Sequence, residues 1–262
     1  MDVVLLPVAL IAYVLAIWMA NMMAAYRSDA ARRWAGISFV VAWTAHLGAI
    51  AARAASAGRL PLANVAEYLL VFGWCVLSLH LFVWFRLKVH GAGLVLPPLA
   101  ALSAFAAWAL LPMVAAADPE KAAAGLLLFH TIVATLGMAI LCLAFTMSVL
   151  YLLQDRALKS HKTLGLLERF PALEKCDQIG LHALVIGFLL LTVAIGTGIG
   201  VNAELGPAWS VGPKEIFPLL AWLVFAVTLS ARTLLGYRGT RSAYLTIAGF
   251  ALGVLTVLGM TL

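Results

Sequence analysis

Charged side chains are scarce in this 262-residue chain. Asp, Glu, Lys and Arg make up 11% of it, whereas 65% of the residues are hydrophobic and the mean hydropathy is +1.06. Soluble domains carry far more charge. A membrane-spanning helix needs about 20 apolar residues, so eight of them would use nearly the whole chain. We predict an all-α polytopic membrane protein, a single domain over residues 1–262 that lies in the lipid bilayer.

Acidic residues are missing from the middle of every apolar run. Glu67 comes closest, about one turn inside the outer end of the third run. Proton and sodium pumps usually hold carboxylates or lysines within the bilayer. A small-molecule or lipid transporter is therefore the least favoured function.

Cysteine is rare, and its spacing excludes a metal finger or a thiol–disulfide centre. Cys75 and Cys142 lie in apolar segments, Cys176 lies in a polar loop, and no C-x-x-C pair occurs. The net charge of +6 also does not indicate nucleic acid, because the basic residues are spread over the loops rather than forming one stripe.

The apolar runs predict eight transmembrane helices. Their predicted bounds are Val3–Ala25, Trp34–Ala55, Val65–Phe85, Gly93–Ala116, Ala123–Leu153, Ile179–Val201, Ile216–Leu234 and Ser242–Thr261. Of the seventeen Lys and Arg residues, all but Arg53, Arg59, Lys121 and Lys214 fall in odd-numbered connections. The positive-inside rule then places both termini outside the membrane, on the periplasmic side.

Two pairs of glycines have the spacing that lets membrane helices approach closely, Gly196 with Gly200 and Gly249 with Gly253. The longest polar connection, Gln154–Gln178, is the best surface for a cytoplasmic partner and has the apolar residues for a short interfacial helix.

Two histidines within apolar helices have matching depths. At ~1.5 Å per residue, His46 lies roughly 16 Å above the inner face and His130 roughly 9 Å below the outer face, within about 5 Å of one level. Two neutral imidazoles in an apolar cleft suit the axial ligation of haem iron. The alternative is hydrogen-bonded core packing for both.

Arg53 follows His46 by seven residues and projects from the same helix face, about 10 Å nearer the outside. At that height it suits a haem propionate, because the guanidinium binds carboxylates bidentately. The alternatives are a pair with Glu67 and an interaction with lipid phosphate. His182 is a third candidate ligand, and with His80 it would form a second, inner site. His80 itself is predicted at the membrane interface.

The outer connection before the seventh helix has a helix-start pattern in Pro213 and Glu215. Trp209, a few residues earlier, is either part of the interfacial aromatic belt or a flat platform for a porphyrin edge.

This connection resembles the W-G-x-x-W-x-W-D-P-K-E signature of the cytochrome c assembly family of CcsA, CcmC and HemX-like membrane proteins. The matching residues are Gly206, Trp209, Pro213, Lys214 and Glu215, while Leu205, Val211 and Gly212 stand where the signature has Trp, Trp and Asp. Further similarities are His46 with Arg53, the stretch from Leu60 to Glu67, His130 opening a long helix, and Gly236–Gly239.

Members that attach haem to cytochrome c have a histidine at the inner end of the penultimate helix, where this chain has Ser230. The chain therefore is more similar to the HemX-like and YpjD-like branch. The resemblance implies a non-enzymatic, haem-binding protein of the bacterial inner (plasma) membrane. Its partners would be haem and cytochrome c assembly proteins, or, in the regulatory alternative, cytoplasmic haem-synthesis enzymes.

Overall fold

The computed structural model describes residues 2–26, 29–114, 125–159, 171–205 and 212–259. Within these ranges, eight helices are long and apolar enough to cross a membrane, and no strand occurs. The prediction of an all-α, multi-pass membrane protein with eight spanning helices is confirmed.

The eight helices are labelled α1 to α8 in chain order. Their bounds are α1 Asp2–Tyr26, α2 Asp29–Ala57, α3 Val65–Phe82, α4 Leu96–Leu110, α5 Gly125–Lys159, α6 Leu173–Leu205, α7 Pro213–Leu234 and α8 Thr240–Gly259. Helix α5 extends beyond its predicted end at Leu153, and α6 begins before its predicted start at Ile179. The proposed interfacial helix in the fifth connection falls largely on residues 160–170, outside the described ranges.

The chain divides into two compact units, Met1–Ala117 and Asp118–Leu262. In the first unit, α1 packs along α2 and α3 packs along α4. Polar side chains also join its helices: Trp43 Nε1 donates to Ser78 Oγ at 2.7 Å, and Ser103 Oγ donates to the carbonyl of Leu69 at 2.7 Å.

The connection between α3 and α4 is more structured than the sequence predicted. Helix α3 continues into a π-helical turn, Val83–Leu87, and a 3-10 turn, His90–Leu94, precedes α4. Between the two turns, Lys88 has a left-handed backbone with φ of 55°. Left-handed conformations are uncommon for residues other than glycine. This connection is therefore locally strained.

In the second unit, α5 packs along α6 and α7 packs along α8, while α8 also contacts α5. A Cβ atom at Gly249 would lie 2.5 Å from Phe225 Cε1, and one at Gly253 would lie 2.8 Å from Met138 Cε. The close approach predicted for this glycine pair is confirmed. For the pair of Gly196 and Gly200 it is wrong at Gly196, where a Cβ meets no atom within 4 Å, but confirmed at Gly200, where a Cβ would lie 3.2 Å from Leu126 Cδ2.

An ion pair at one end of the second unit links three helices. Arg232 on α7 donates from both terminal nitrogens to the carboxylate of Asp177 on α6, at 2.9 and 2.7 Å, and also donates to Ser242 on α8 at 2.9 Å. Bidentate Arg–carboxylate pairs fix geometry as well as charge. This cluster therefore holds α6, α7 and α8 in register.

Candidate functional site

Arg53 binds Glu67, the alternative partner considered for it from the sequence. Arg53 Nε and Nη2 donate to Glu67 Oε1 at 3.0 and 2.9 Å, and Arg59 donates to the same carboxylate at 2.7 and 3.1 Å. The Glu67 side chain is fully buried, whereas the arginines are 29% and 20% exposed. Arg59 is a partner that the sequence analysis missed.

The local backbone explains why Glu67 sits there. Asn64 caps the start of α3, its side chain accepting from the Glu67 amide at 2.9 Å, and the Glu67 carboxylate accepts from the Ala63 amide at 3.0 Å. An acidic residue in the first turn also favours the positive end of the helix dipole. The cluster thus fastens the short connection from α2 onto the beginning of α3.

His46 is fully enclosed within the first unit. Its Nδ1 is hydrogen-bonded to Tyr13 Oη at 2.9 Å, whereas the buried Nε2 makes no hydrogen bond of standard geometry to the described residues, and the Leu70 backbone is a weaker polar neighbour of the ring. The ring packs against α3, since a Cβ at Gly73 would lie 3.3 Å from His46 Cε1. Buried ring nitrogens are seldom left unpaired. The buried Nε2 is thus consistent with a ligand role, although the surrounding helices close over it.

His80, in the last turn of α3, is a second enclosed histidine of the same unit, and its predicted position at the membrane interface stays a prediction. Its side chain is fully buried, and neither ring nitrogen has a partner within the described ranges. The ring packs edge-on against Phe39, with centroids 4.4 Å apart, and lies 5.6 Å from the Trp84 ring. His80 belongs to the aromatic core of the unit.

His130, near the start of α5, has the geometry of a ligand-ready imidazole. Its Nδ1 lies 2.9 Å from the carbonyl oxygen of Ala194 and 3.1 Å from Thr197 Oγ1. A carbonyl oxygen only accepts, so Nδ1 carries the proton and Nε2 carries the lone pair. Metal-binding histidines are typically oriented by such a bond from the other ring nitrogen. His130 is half-buried, and both of its hydrogen bonds within the described residues are made by Nδ1.

His182 is exposed on α6, and its Nδ1 donates to the carbonyl of Gln178 at 2.8 Å. Ala194 is hydrogen-bonded to His130 and so lies at the same level. It follows His182 on α6 by twelve residues, which is about 18 Å along the helix axis. One iron cannot bind two histidines at such different levels. His130 and His182 therefore belong to separate positions in the second unit, and His80 lies in the first unit.

Trp209 lies outside the described residues, as do most positions of the signature-like stretch. The helix start that follows it is confirmed. Helix α7 begins at Pro213, and Glu215 reaches back so that its Oε2 accepts from the Gly212 amide at 3.0 Å.

Sequence comparison gives the family of this chain. The family model described as "Cytochrome C assembly protein" matches residues 62–262. The chain belongs to this family. The match includes His130, His182 and Trp209, whereas His46 and Arg53 precede it.

Relatives named cytochrome c biogenesis protein CcsA extend the similarity. The Guillardia theta protein is 29% identical over 226 residues, 78% of this chain and 74% of the relative. The Gloeothece citriformis protein is 27% identical over 261 residues, 81% and 80% of the two chains. The Crocosphaera subtropica protein is 28% identical over 298 residues, 87% and 89% of the two chains. The similarity therefore covers most of the length of these relatives.

Proposed function

We propose that this chain is a haem-handling protein of cytochrome c assembly in the bacterial inner membrane, with His130 as an axial ligand of haem iron. Family membership and the assembly function named in its relatives support the process. The observation that carries the site is the bond from His130 Nδ1 to Ala194, which leaves the Nε2 lone pair available. The names of these relatives do not favour the regulatory alternative.

The residues around His130 fit a bound haem in their chemistry. When bound, haem would supply an iron centre that takes a nitrogen ligand such as the His130 imidazole. Thr197 Oγ1 donates to the carbonyls of Val193 and Ala194 at 2.9 and 3.0 Å, so toward His130 it acts as an acceptor. Ala194 and Thr197 together fix the tautomer and the ring plane, which is the orienting role that outer residues have at metal sites.

The second axial ligand stays a prediction. His46 is the sequence-based candidate, and it is supported by a buried Nε2 that makes no hydrogen bond of standard geometry to the described residues. Binding there requires the helices around that nitrogen to open. Arg53 as a propionate partner would have to exchange or share its bonds to Glu67, and Trp209 is proposed to stack on a porphyrin edge.

The test is an optical spectrum of the full chain purified in detergent, oxidised and dithionite-reduced, before and after haem addition. We expect a low-spin haem spectrum that is lost or shifted in His130→Ala. The same measurement on His46→Ala tests the second ligand, whereas His182→Ala should leave the spectrum unchanged, because His182 lies about 18 Å along α6 from the level of His130. His161→Ala, in the polar fifth connection, is the matched control and should leave the spectrum unchanged. An unaltered spectrum in His130→Ala would overturn the assignment of this ligand.

A further inference from the structure

A cavity of about 650 Å³ opens on the first unit, where the beginning of α2 meets the π turn after α3. This volume is within the range of small-molecule sites. Its lining includes three cationic side chains, Arg32, Arg33 and Lys88, all exposed. They belong to the end of the unit that the positive-inside rule predicts to face the cytoplasm.

The rest of the lining is apolar and outward-facing. Ile37, Val40 and Val41 follow one face of α2, and they are 50%, 40% and 51% exposed, while Phe85 of the π turn is 52% exposed. In a membrane-spanning chain, exposed apolar side chains of this kind meet hydrocarbon. The cavity therefore combines a cationic end with an apolar wall, and its ligand must be amphiphilic with a negative charge at one end.

The backbone at this cavity is specialised. A Cβ at Gly36 would lie 3.3 Å from Trp84 Nε1, so the absence of a side chain there lets the π turn approach α2 closely. Lys88, with its left-handed φ of 55°, follows directly and contributes to the lining. Both π turns and strained residues are over-represented at functional sites.

We propose that this cavity binds an anionic phospholipid, with its phosphate against Arg33 and Lys88 and an acyl chain along Ile37, Val40 and Phe85. Arg32 is a weaker contributor, because it pairs with Asp29 at 2.9 Å. Arg33 and Lys88 form no ion pair among the described residues. Haem fits less well, because the only imidazole among the lining residues, His90, packs edge-on against Trp84 with centroids 4.6 Å apart.

The experiment is native mass spectrometry of the full chain titrated with dimyristoyl phosphatidylglycerol or dimyristoyl phosphatidylcholine. We expect a phosphatidylglycerol adduct at concentrations where phosphatidylcholine gives none. The variant Arg33→Gln/Lys88→Gln should weaken this adduct roughly 25-fold, taking about fivefold for each cation. The matched control is Arg238→Gln/Arg241→Gln, which removes two cations outside the cavity and should leave the affinity unchanged.

A second variant tests the apolar wall without altering charge. Val41→Trp should fill the cavity and weaken phosphatidylglycerol binding, whereas Leu189→Trp, at an exposed position of α6, should not. Equal affinity for the two lipids would overturn the proposal, as would equal losses in the cavity and control charge variants. Haem retention that falls with Arg33→Gln/Lys88→Gln, while lipid binding is unchanged, would assign the cavity to haem instead.

Discussion

His130 illustrates how a single backbone carbonyl prepares a side chain for a ligand. The bond from Nδ1 to Ala194 fixes both the proton position and the ring plane. The sequence placed His130 within a helix and at a useful depth, but it gave no indication of this acceptor, which lies 64 positions away. A contact between residues so far apart in the chain leaves no local sequence pattern from which it could be predicted.

A substitution at Gly198 tests whether the ring position of His130 matters. A Cβ there would lie 3.0 Å from His130 Cε1 and 3.4 Å from Nδ1, so Gly198→Ala should push the ring aside. We expect Gly198→Ala to shift the haem spectrum or weaken haem retention several-fold. Gly196→Ala is the matched control on the same helix, since a Cβ at Gly196 meets nothing within 4 Å. Identical spectra for both variants and the parent would argue against His130 as a ligand.

For His46, the sequence predicted the need for a hydrogen-bond partner, and the structure identifies that partner as Tyr13. The sequence identified His46 as an intramembrane histidine in need of a partner, because an imidazole in an apolar interior must be hydrogen-bonded. Tyr13 on α1 meets that need, although nothing in the apolar run of α1 singles it out. A tyrosine in a membrane helix is equally compatible with lipid contact, so only the packing of α1 on α2 identifies the pair.

At the scale of helices, hydropathy predicted all eight spanning segments but not their irregular ends. A hydropathy profile averages over a window of about 19 residues. It therefore predicts only an ordinary helix end and loop between Phe85 and Gly93. The π turn, the left-handed Lys88 and the 3-10 turn depend instead on local backbone bonding. They also contribute Trp84, Phe85, Lys88 and His90 to the lining of the cavity of the first unit.

The connection between α2 and α3 was better anticipated, because the sequence predicted the start of the third helix at Val65 and considered a pair between Arg53 and Glu67. Glu67→Gln keeps the size of the side chain but leaves Arg53 and Arg59 without their shared carboxylate. Removing one partner of a buried ion pair typically costs about 3–5 kcal/mol. The two arginines are partly exposed and solvent screens them, so we expect a loss near the lower end, about 3 kcal/mol.

The measurement for this prediction is the temperature at which the detergent-purified chain loses its monodisperse form. Glu67→Gln should lower it clearly, by roughly 6 °C or more. Glu174→Gln replaces an exposed carboxylate in the first turn of α6 and is the control, expected to change the free energy of unfolding by less than about 0.5 kcal/mol. A Glu67→Gln variant as stable as this control would show that the buried cluster contributes little.

At the scale of the whole molecule, the distribution of charge predicts which side of the membrane each connection occupies. Thirteen of the seventeen Lys and Arg residues fall in odd-numbered connections. Two of the four exceptions also have a local explanation, because Arg53 and Arg59 neutralise Glu67. With these residues set aside, the remaining Lys and Arg residues fall even more strongly in the odd-numbered connections. This distribution favours termini outside the membrane.

This orientation can be measured with reporter fusions to the full chain. Alkaline phosphatase is active only outside the cytoplasm, and green fluorescent protein fluoresces only inside it. We expect phosphatase activity and no fluorescence from fusions after Leu262, because an even number of helices returns the chain to the side on which it began. The same reporters inserted in the fifth connection, after Ser160, should give the reverse result. A fluorescent C-terminal fusion would show that the topology is the reverse of the one predicted. The cationic cavity of the first unit would then lie at the outer leaflet.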